Sequence, residues 1–301
     1  MNKEILALLL VSLVVLVSGC TMPFGGSGEK QTATAGTQGL IIEYFGPDLE
    51  YVVSNQQLAI EARVKNIGDS KATNIKGKPY LLAWDGYSGE RDCSVSELEP
   101  PNPEINREGG SCTVKWDTVN SPSEKIVEPE IYQAGVKISY DYTTTTTAKM
   151  YAISDRRRIA LMERGEQLPT VKNIQNSNAP IHVEVRVEDV IIIPSSGSRD
   201  VPVTLVIKNV GNGNVRYDTN TYHYVVDKVT PSVEAAGVSI VDASDCEDGV
   251  YLRGGKEGTC DFKLRVTSSA SDEIVMSIKV ITEYNYEITR ETTIAVNPRL
   301  E

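Results

Sequence analysis

Histidine is nearly absent from this chain, which has only His182 and His223 among its 301 residues. His182 lies on the polar parity of the alternating run Ile181–Val187, so we expect it to face water. His223 stands between two tyrosines, where we expect a packed or hydrogen-bonded side chain rather than a catalytic one. The sequence also has no G-x-S-x-G, H-E-x-x-H or C-x-x-C motif. We therefore predict a protein that is not an enzyme and needs no cofactor; an unusual enzyme built on its many carboxylates stays an alternative.

Positive charge is scarce as well. Lys and Arg number 30 against 41 Asp and Glu, which gives a formal net charge of −11. A protein that binds a phosphate backbone needs a concentrated basic face, so we do not expect nucleic acid as a partner. The basic cluster Arg156–Arg158 is expected to be a solvated helix face; a contact with anionic headgroups or with an acidic partner is the alternative.

Helical periodicity is missing from the first half of the chain, where apolar and polar residues alternate instead. In Leu58–Asn66 the even positions are apolar up to Val64, and positions 61, 63 and 65 carry charges, which is typical of a strand with one buried face. Cys112–Asp117 and Val136–Tyr142 follow the same period. Parallel α/β folds need a helical pattern after each strand, so we predict an all-β chain of the β-sandwich class.

Long hydrophobic runs are also lacking. The apolar run Ile5–Val17 falls short of the roughly 20 residues that about 30 Å of hydrocarbon requires, and it has the length and composition of a signal-peptide core. Small residues then lead to a cysteine in Val17-Ser18-Gly19-Cys20. This stretch resembles the lipobox of prokaryotic lipoproteins, and the resemblance implies cleavage before Cys20 and a lipid on its sulfur. The alternative is an uncleaved signal anchor.

A lipid on Cys20 would place the protein at the cell membrane, tethered to the extracytoplasmic face. Residues 1–19 would be the signal peptide, and residues 20–38 the lipidated cysteine and a flexible linker, because Thr21–Gln38 has almost no large apolar residues and no period. One acyl chain anchors only marginally, whereas two hold stably. The acidic body is not attracted to an anionic surface, so we expect it to stand off from the bilayer on this tether.

The second half of the chain repeats the first. Three segments recur in the same order: Ile60–Gly68 as Val203–Gly211, Glu108–Trp116 as Lys256–Leu264, and Ser139–Tyr142 as Glu283–Tyr286. The offsets are 143, 148 and 144 residues, so insertions fall between strands while the order is kept. We predict two tandem β-sandwich domains, at 39–150 and 179–301, joined by a helical linker at 151–178.

Five cysteines are present. If Cys20 carries a lipid, Cys93, Cys112, Cys246 and Cys260 remain, and an even number outside the cytoplasm indicates disulfides. Three pairings are possible. Cys112 and Cys260 occupy matching places in the two copies, and each has one cysteine upstream in a polar stretch. The repeat therefore favours Cys93–Cys112 and Cys246–Cys260.

A short helix is predicted between the two copies. Ser154 can cap a helix that begins at Asp155, and Gly165 and Pro169 limit its length. The polar run Lys172–Ala179 that follows is predicted to be an interdomain hinge.

A family resemblance rests on two features of both copies. An apolar strand is followed by Lys-Asn-Ile-Gly at 65–68 and by Lys-Asn-Val-Gly at 208–211, and a late strand ends in paired tyrosines. This combination resembles the CARDB-like and related immunoglobulin-like modules of archaeal and bacterial surface proteins, over about 39–150 and 179–296. The resemblance implies immunoglobulin-like β-sandwiches that act as an extracellular spacer, adhesion or interaction module without catalytic residues. A disulfide in each copy departs from the usual pattern.

The stretch that most resembles a binding site for a metal ion is the acidic loop at 242–249. Its carboxylates belong to Asp242, Asp245, Glu247 and Asp248, and they surround a predicted disulfide where they could offer oxygens to Ca²⁺. They do not follow the D-x-[DN]-x-[DN]-G spacing of helix-loop-helix calcium sites. A solvated acidic loop is therefore the favoured interpretation, and we predict no metal site.

The paired tyrosines, Tyr140 with Tyr142 and Tyr284 with Tyr286, raise the alternative of stacking on sugar rings. Both members of each pair share the core parity of their strand, so we expect core packing with the hydroxyl satisfied at the edge. The five threonines at 143–147 suit an edge strand or O-glycosylation. No N-x-[ST] acceptor occurs, so N-glycosylation is not expected.

These features predict a lipid-anchored extracellular protein, not an enzyme, whose tandem β-sandwich modules serve surface interaction, adhesion or spacing. Its expected partners are the membrane, through the anchor, and a surface protein or glycan. The alternative is a glycan- or peptide-binding lipoprotein accessory to a transporter or an envelope enzyme. An exposed aromatic strip or a deep cleft between the domains would favour that alternative, and flat polar faces would favour the spacer.

Overall fold

The alternating segments form β-strands, and the fold is all-β as the sequence predicts. The computed structural model describes residues 36–169, 172–188, 190–216 and 227–299. The strands of the first half are β1 (Leu40–Pro47), β2 (Val52–Val53), β3 (Gln57–Asn66), β4 (Ala72–Tyr80), β5 (Arg91–Asp92), β6 (Glu97–Leu98), β7 (Ser111–Asn120) and β8 (Glu130–Ser154), with a 3₁₀ turn at Pro103–Ile105.

The second half begins after the helix α1 (Asp155–Glu163). Its strands are β9 (Lys172–Asn176), β10 (Ile181–Val187), β11 (Ile191–Ile193), β12 (Ser198–Asn209), β13 (Asn214–Arg216), β14 (Lys228–Ala236), β15 (Ser239–Val241), β16 (Val250–Tyr251), β17 (Glu257–Thr267) and β18 (Glu273–Asn297), with the short helix α2 (Ser244–Glu247) before β16.

Three sheets contain these strands. One outer sheet has the order β1-β3-β7, and the other has the order β10-β12-β17-β15. Among the described residues, eleven strands form a central sheet. The strands β18 and β8 lie in its middle, with β14 and β16 on one side and β4 and β5 on the other. Each outer sheet packs its apolar face on one half of the central sheet, which is the arrangement of a β-sandwich.

The long strands β8 and β18 pair along their whole lengths. The antiparallel ladder runs from Glu130 opposite Val296 to Ile153 opposite Glu273. At its centre Asp141 lies opposite Asn285, and these two residues match each other in the repeat. Each copy therefore presents the same strand to the other, and an approximate twofold axis passes through this central pair.

Each sandwich is completed by a strand segment from the other half of the chain. The last part of β8 pairs with β9 and with β11 of the second half, and the last part of β18 pairs with β2 of the first. The Arg290 guanidinium on β18 donates hydrogen bonds to the carbonyl oxygens of Ile42 and Glu43 on β1. The described residues belong to one compact unit. The domain boundaries at 150 and 179 stay a prediction, because the long strands belong to both sandwiches.

The core of the first sandwich shows how closely the layers approach. Trp116 on β7 is 1% exposed, and its indole N–H donates to the carbonyl of Gly89 at 3.2 Å. A Cβ on Gly77 of β4 would lie 2.7 Å from Val114 and 3.2 Å from Trp116. Only glycine lets β4 come this near to β7. Burying the indole and its neighbours supplies the apolar area that stabilises the sandwich.

The stretch between the two copies contains the helix α1 and the strand β9. Ser154 caps α1 as predicted, because its hydroxyl accepts the Arg157 N–H at 3.1 Å. The predicted hinge at 172–179 is wrong in its first part, since Lys172–Asn176 forms β9 and pairs with β8. Polar residues build this strand because their side chains bond to neighbouring strands: Asn176 Oδ1 accepts the Val183 N–H at 2.8 Å.

The threonine run lies in the middle of the central sheet and not at an edge. Thr144 and Thr146 on β8 are fully buried. Their hydroxyls bond to the Tyr284 hydroxyl at 2.8 Å and to Asn176 Oδ1 at 2.7 Å. The edge-strand interpretation is therefore wrong: alternate threonines face the core with their hydroxyls satisfied.

Among the described residues, no helix is long and apolar enough to cross a membrane. The predicted signal peptide, Cys20 and most of the linker lie outside the described residues, as does His223.

Candidate functional site

Four tyrosine side chains pack together on the inner face of the central sheet. Tyr140 lies opposite Tyr286, and Tyr142 opposite Tyr284. Neighbouring ring centroids are 5.7 to 6.4 Å apart, and no ring is more than 6% exposed. Burial raises the pKa of all four hydroxyls, to about 12 for Tyr286. The predicted core packing is confirmed, and these rings offer no face to a sugar.

A buried asparagine fastens this cluster to the Lys-Asn-x-Gly turn of each copy. Asn66 donates to the carbonyls of Ser70 at 2.7 Å and Leu98 at 2.9 Å. Its Oδ1 accepts the Gly68 N–H at 3.1 Å and the Tyr142 hydroxyl at 3.2 Å. A side chain on Gly68 would clash with that hydroxyl. The Lys-Asn-x-Gly motif, on which the family resemblance rests, thus holds the turn after β3 to the long strand β8 through the hydrogen bonds of Asn66.

The second copy makes the matching contacts. Asn209 donates to the carbonyls of Gly213 at 2.9 Å and Gly255 at 3.1 Å. Its Oδ1 accepts the Gly211 N–H at 3.2 Å and the Tyr286 hydroxyl at 2.9 Å. The repeat therefore preserves individual hydrogen bonds as well as the order of strands.

The chain enters the fold on this inner face. The Leu40 N–H at the start of β1 donates to the Tyr140 hydroxyl at 3.2 Å, and the Gly39 carbonyl accepts the N–H groups of Ile67 and Gly68 at 2.9 and 3.1 Å. Further upstream, the Gly36 carbonyl lies 3.1 Å from His182 Nε2. His182 is half-buried by this contact and does not simply face water.

The opposite face of the central sheet carries a polar groove of about 1100 Å³ at the twofold axis. Side chains alternate between the faces of a strand, so Asp141 points away from Tyr140 and Tyr142 and into this groove. Its carboxylate accepts hydrogen bonds from Asn74 Nδ2 at 2.5 Å and from Asn285 Nδ2 at 2.9 Å. These three side chains tie β4, β8 and β18 together at the groove floor.

The lining of the groove carries more cations than carboxylates, although the protein as a whole is strongly acidic. Five cationic side chains line the groove, against three carboxylates: Lys71, Lys76, Lys78, Arg216 and Lys228, against Glu90, Asp141 and Glu283. The first three cations come from the first copy, and the other two from the second. Three of the cations are ion-paired. Lys76 bonds to Glu90 at 3.2 Å, a contact that raises the lysine pKa, Lys71 bonds to Glu99 at 2.7 Å and to Glu97 at 3.1 Å, and Arg216 bonds to Glu287.

The sequence did not single out these groove residues. Lys76 and Lys78 alternate around Gly77, a signal that could have placed both on one face of a strand. Arg216 comes from the other copy, and its guanidinium pairs with Glu287 of β18. Bringing it opposite the lysines depends on the β8–β18 register, which no local pattern encodes.

The structure pairs Cys93 with Cys112 and Cys246 with Cys260, as the repeat predicts. Their Cα atoms are 5.9 and 5.1 Å apart, within the range for disulfides. In the first copy the bond joins the segment after β5 to the outer-sheet strand β7, and in the second it joins the short helix α2 to the outer-sheet strand β17.

The acidic loop does not gather its carboxylates into an ion site. Asp245 Oδ2 accepts the Asp261 N–H at 3.0 Å, and Asp242 Oδ1 accepts the Ser244 hydroxyl at 3.0 Å. Glu247 is the last residue of the short helix α2, and Asp248 follows it as the C-cap. Within the described ranges, no three His, Cys, Asp or Glu side chains are grouped so that they could hold a metal.

The basic cluster on α1 is solvated and ion-paired. The Arg156 guanidinium bonds to Asp272 at 2.7 Å and holds the pKa of that carboxyl below its usual range. Arg158 bonds to Asp155 at 2.6 Å. These pairs lie at the surface, and they leave the cluster with less charge to offer to a partner.

Comparison with known proteins gave no assignment: no protein-family model matches the chain, and no curated protein matches it either.

Proposed function

We propose that this chain is a lipid-anchored, extracytoplasmic protein without enzymatic activity, whose paired β-sandwiches form a rigid module for surface interaction, adhesion or spacing. The observation that carries this proposal is the central sheet. Because β8 and β18 each run through both sandwiches, the two copies are held at a fixed relative position. Fixed geometry suits a module that spaces or presents a surface. The proposal includes kinship with CARDB-like, immunoglobulin-like surface modules.

One further observation supports an extracytoplasmic location. The two disulfides are the kind of bond that persists in oxidising compartments.

The anchor is tested by changing Cys20→Ala in the full chain expressed in a prokaryotic host with lipoprotein processing. We expect the variant to leave the membrane fraction, because the acyl acceptor is lost. The neighbouring change Thr21→Ala is the control and should stay with the membrane. If Cys20→Ala remains in the membrane after a carbonate wash, an uncleaved signal anchor replaces the lipid.

A ligand-binding role accessory to a transporter or an envelope enzyme is the second candidate. The groove favours it, because a concave basic site at the junction of two copies is a common place for a ligand. Tyr142 and Tyr284 are the aromatic residues among those that line the described part of the groove, but they are 2% and 6% exposed and their rings pack in the core. Any ligand would therefore be held by charge and hydrogen bonds.

A further inference from the structure

The groove has the features of a binding surface for an extended anion. Its cations lie on both sides of the floor formed by β8 and β18, with Lys76 and Lys78 on β4 and Arg216 on β13. The molecule as a whole carries a net charge of −11. Anions are repelled by such a body in general. The groove lining, where lysines and an arginine outnumber the carboxylates, is the favoured place for an anion that competes with the glutamates for these cations.

Hydroxyl groups between these cations add hydrogen-bonding capacity. Ser139 and Thr143 on β8 and Thr230 on β14 line the groove, and each can donate and accept. The amides of Asn74 and Asn285 are held in place by Asp141. A surface of fixed amides, hydroxyls and flexible lysines suits a polymer that carries both hydroxyl and anionic groups.

A polypeptide fits this floor less well. Extended peptides bind sheets by adding a strand at a free edge, where backbone groups are unpaired. Here the floor is the middle of the sheet, and the backbone of β8 and β18 is already paired between the two strands. Side chains alone would have to recognise the ligand.

We propose that the groove binds a linear acidic polysaccharide, which lies across the twofold axis and contacts cations from both copies. This inference rests on the proposed interaction role and names its ligand class.

The test measures binding of an oligogalacturonate of defined length to the full chain, purified in detergent, by isothermal titration calorimetry. The groove variant is Lys76→Glu with Lys78→Glu. The matched control is Lys115→Glu with Lys263→Glu, on the outer sheets: Lys115 is paired with Asp117 as Lys76 is with Glu90. Both variants change the net charge equally, and all four lysines face solvent, so folding should be retained and is checked by circular dichroism.

We expect the groove variant to bind the oligogalacturonate roughly tenfold or more weakly, and the control to bind within about twofold of the unmodified chain. Affinity should also fall as salt rises. Equal losses in both variants would show attraction to overall charge and would overturn the site. Binding of polyglutamate of the same length as tightly as the oligogalacturonate would make an acidic polypeptide the ligand and overturn the polysaccharide assignment.

No measurable binding of either polymer, or equal binding of a neutral dextran, would also overturn the proposal. These outcomes are independent of the anchor, which the Cys20→Ala experiment tests on its own. A chain that is membrane-bound but does not bind the polymer would keep the surface location and lose the ligand class.

Discussion

At the scale of single residues, the buried amide of Asn66 shows why the Lys-Asn-x-Gly motif occurs in both copies. All its hydrogen-bonding groups are used: two carbonyls accept from it, and one N–H and one hydroxyl donate to it. Buried polar groups are costly when a partner is missing. The motif is therefore a structural one, and its recurrence at Asn209 does not mark a catalytic or binding site.

Replacing this residue gives the first stability prediction. Asn66→Ala should lower the free energy of unfolding by about 3 kcal/mol, because the carbonyls of Ser70 and Leu98 lose their buried donor. Asn209→Ala should cost a similar amount. Urea denaturation measures both. The exposed Asn212 is the control, and Asn212→Ala should change the free energy of unfolding by less than about 0.5 kcal/mol.

A decrease in the free energy of unfolding smaller than about 1 kcal/mol for Asn66→Ala would contradict the stabilising role of these hydrogen bonds. Such a result would mean that water or a neighbouring side chain replaces the amide.

The residue patterns in the sequence were sufficient to predict the burial of the tyrosines and the pairing of the cysteines. Tyr140 and Tyr142 share the parity of the buried residues of their strand, and the parity alone predicts their burial. The disulfides followed from matching positions in the repeat. His182 was predicted to face water from the same reasoning; its contact with the Gly36 carbonyl could not be foreseen, because it joins segments far apart in the chain.

At the scale of elements, each disulfide connects a poorly paired segment to a long strand. Cys93 follows β5, a two-residue strand whose residues are both exposed, whereas Cys112 lies in β7. Cys246 is in the four-residue helix α2, and Cys260 is in β17. Such short elements bury little surface by themselves, so the covalent bond provides much of their attachment.

The chain-entropy model gives the size of this effect. The two bonds span sequence separations of 19 and 14 residues. Changing Cys93→Ala together with Cys112→Ala should reduce the free energy of unfolding by about 3 kcal/mol, and so should Cys246→Ala with Cys260→Ala. Urea denaturation of both double variants and of the unmodified chain under oxidising conditions checks the prediction.

The two double variants are controls for each other, because each leaves one bond intact. If unfolding of the unmodified chain is unchanged by a reducing agent, the bonds do not contribute as described. Peptide mapping without reduction should recover only peptides that join 93 to 112 and 246 to 260.

The long strands were only partly predictable. Alternation continues from Tyr142 through Thr144, Thr146, Ala148 and Met150, so a strand beyond Tyr142 was within reach. The threonines obscured this continuation of the strand. They occupy the positions of buried residues in the alternation, whereas a polar residue usually indicates an exposed position or an edge strand. Thr144 and Thr146 are buried only because partners on β18 and β9 satisfy their hydroxyls, and those partners are distant in sequence.

At the scale of the whole molecule, the two copies associate as the subunits of a symmetric dimer would. The same strand of each copy meets its counterpart in antiparallel register about a twofold axis, as in an isologous interface. The covalent link through α1 and β9 makes the arrangement permanent. Periodicity and repeats could predict two sandwiches, but they carry no information on which strand of one copy pairs with which strand of the other.

The groove exists only at this scale. Lys76 and Lys78 belong to one copy and Arg216 to the other, and only the shared sheet places them on opposite sides of one floor. The ligand proposal therefore depends on the same arrangement as the proposal of a rigid module.

Hydrogen exchange of the full chain, followed by mass spectrometry of its peptides, tests the shared sheet most directly. Backbone amides exchange slowly where they are hydrogen-bonded in stable structure. We predict that residues 143–152 and 286–296 exchange as slowly as residues 132–142 and 275–285, because β8 and β18 pair along their whole lengths. If the first two segments exchange rapidly while the other two stay protected, each sandwich is closed on itself and the shared central sheet is wrong.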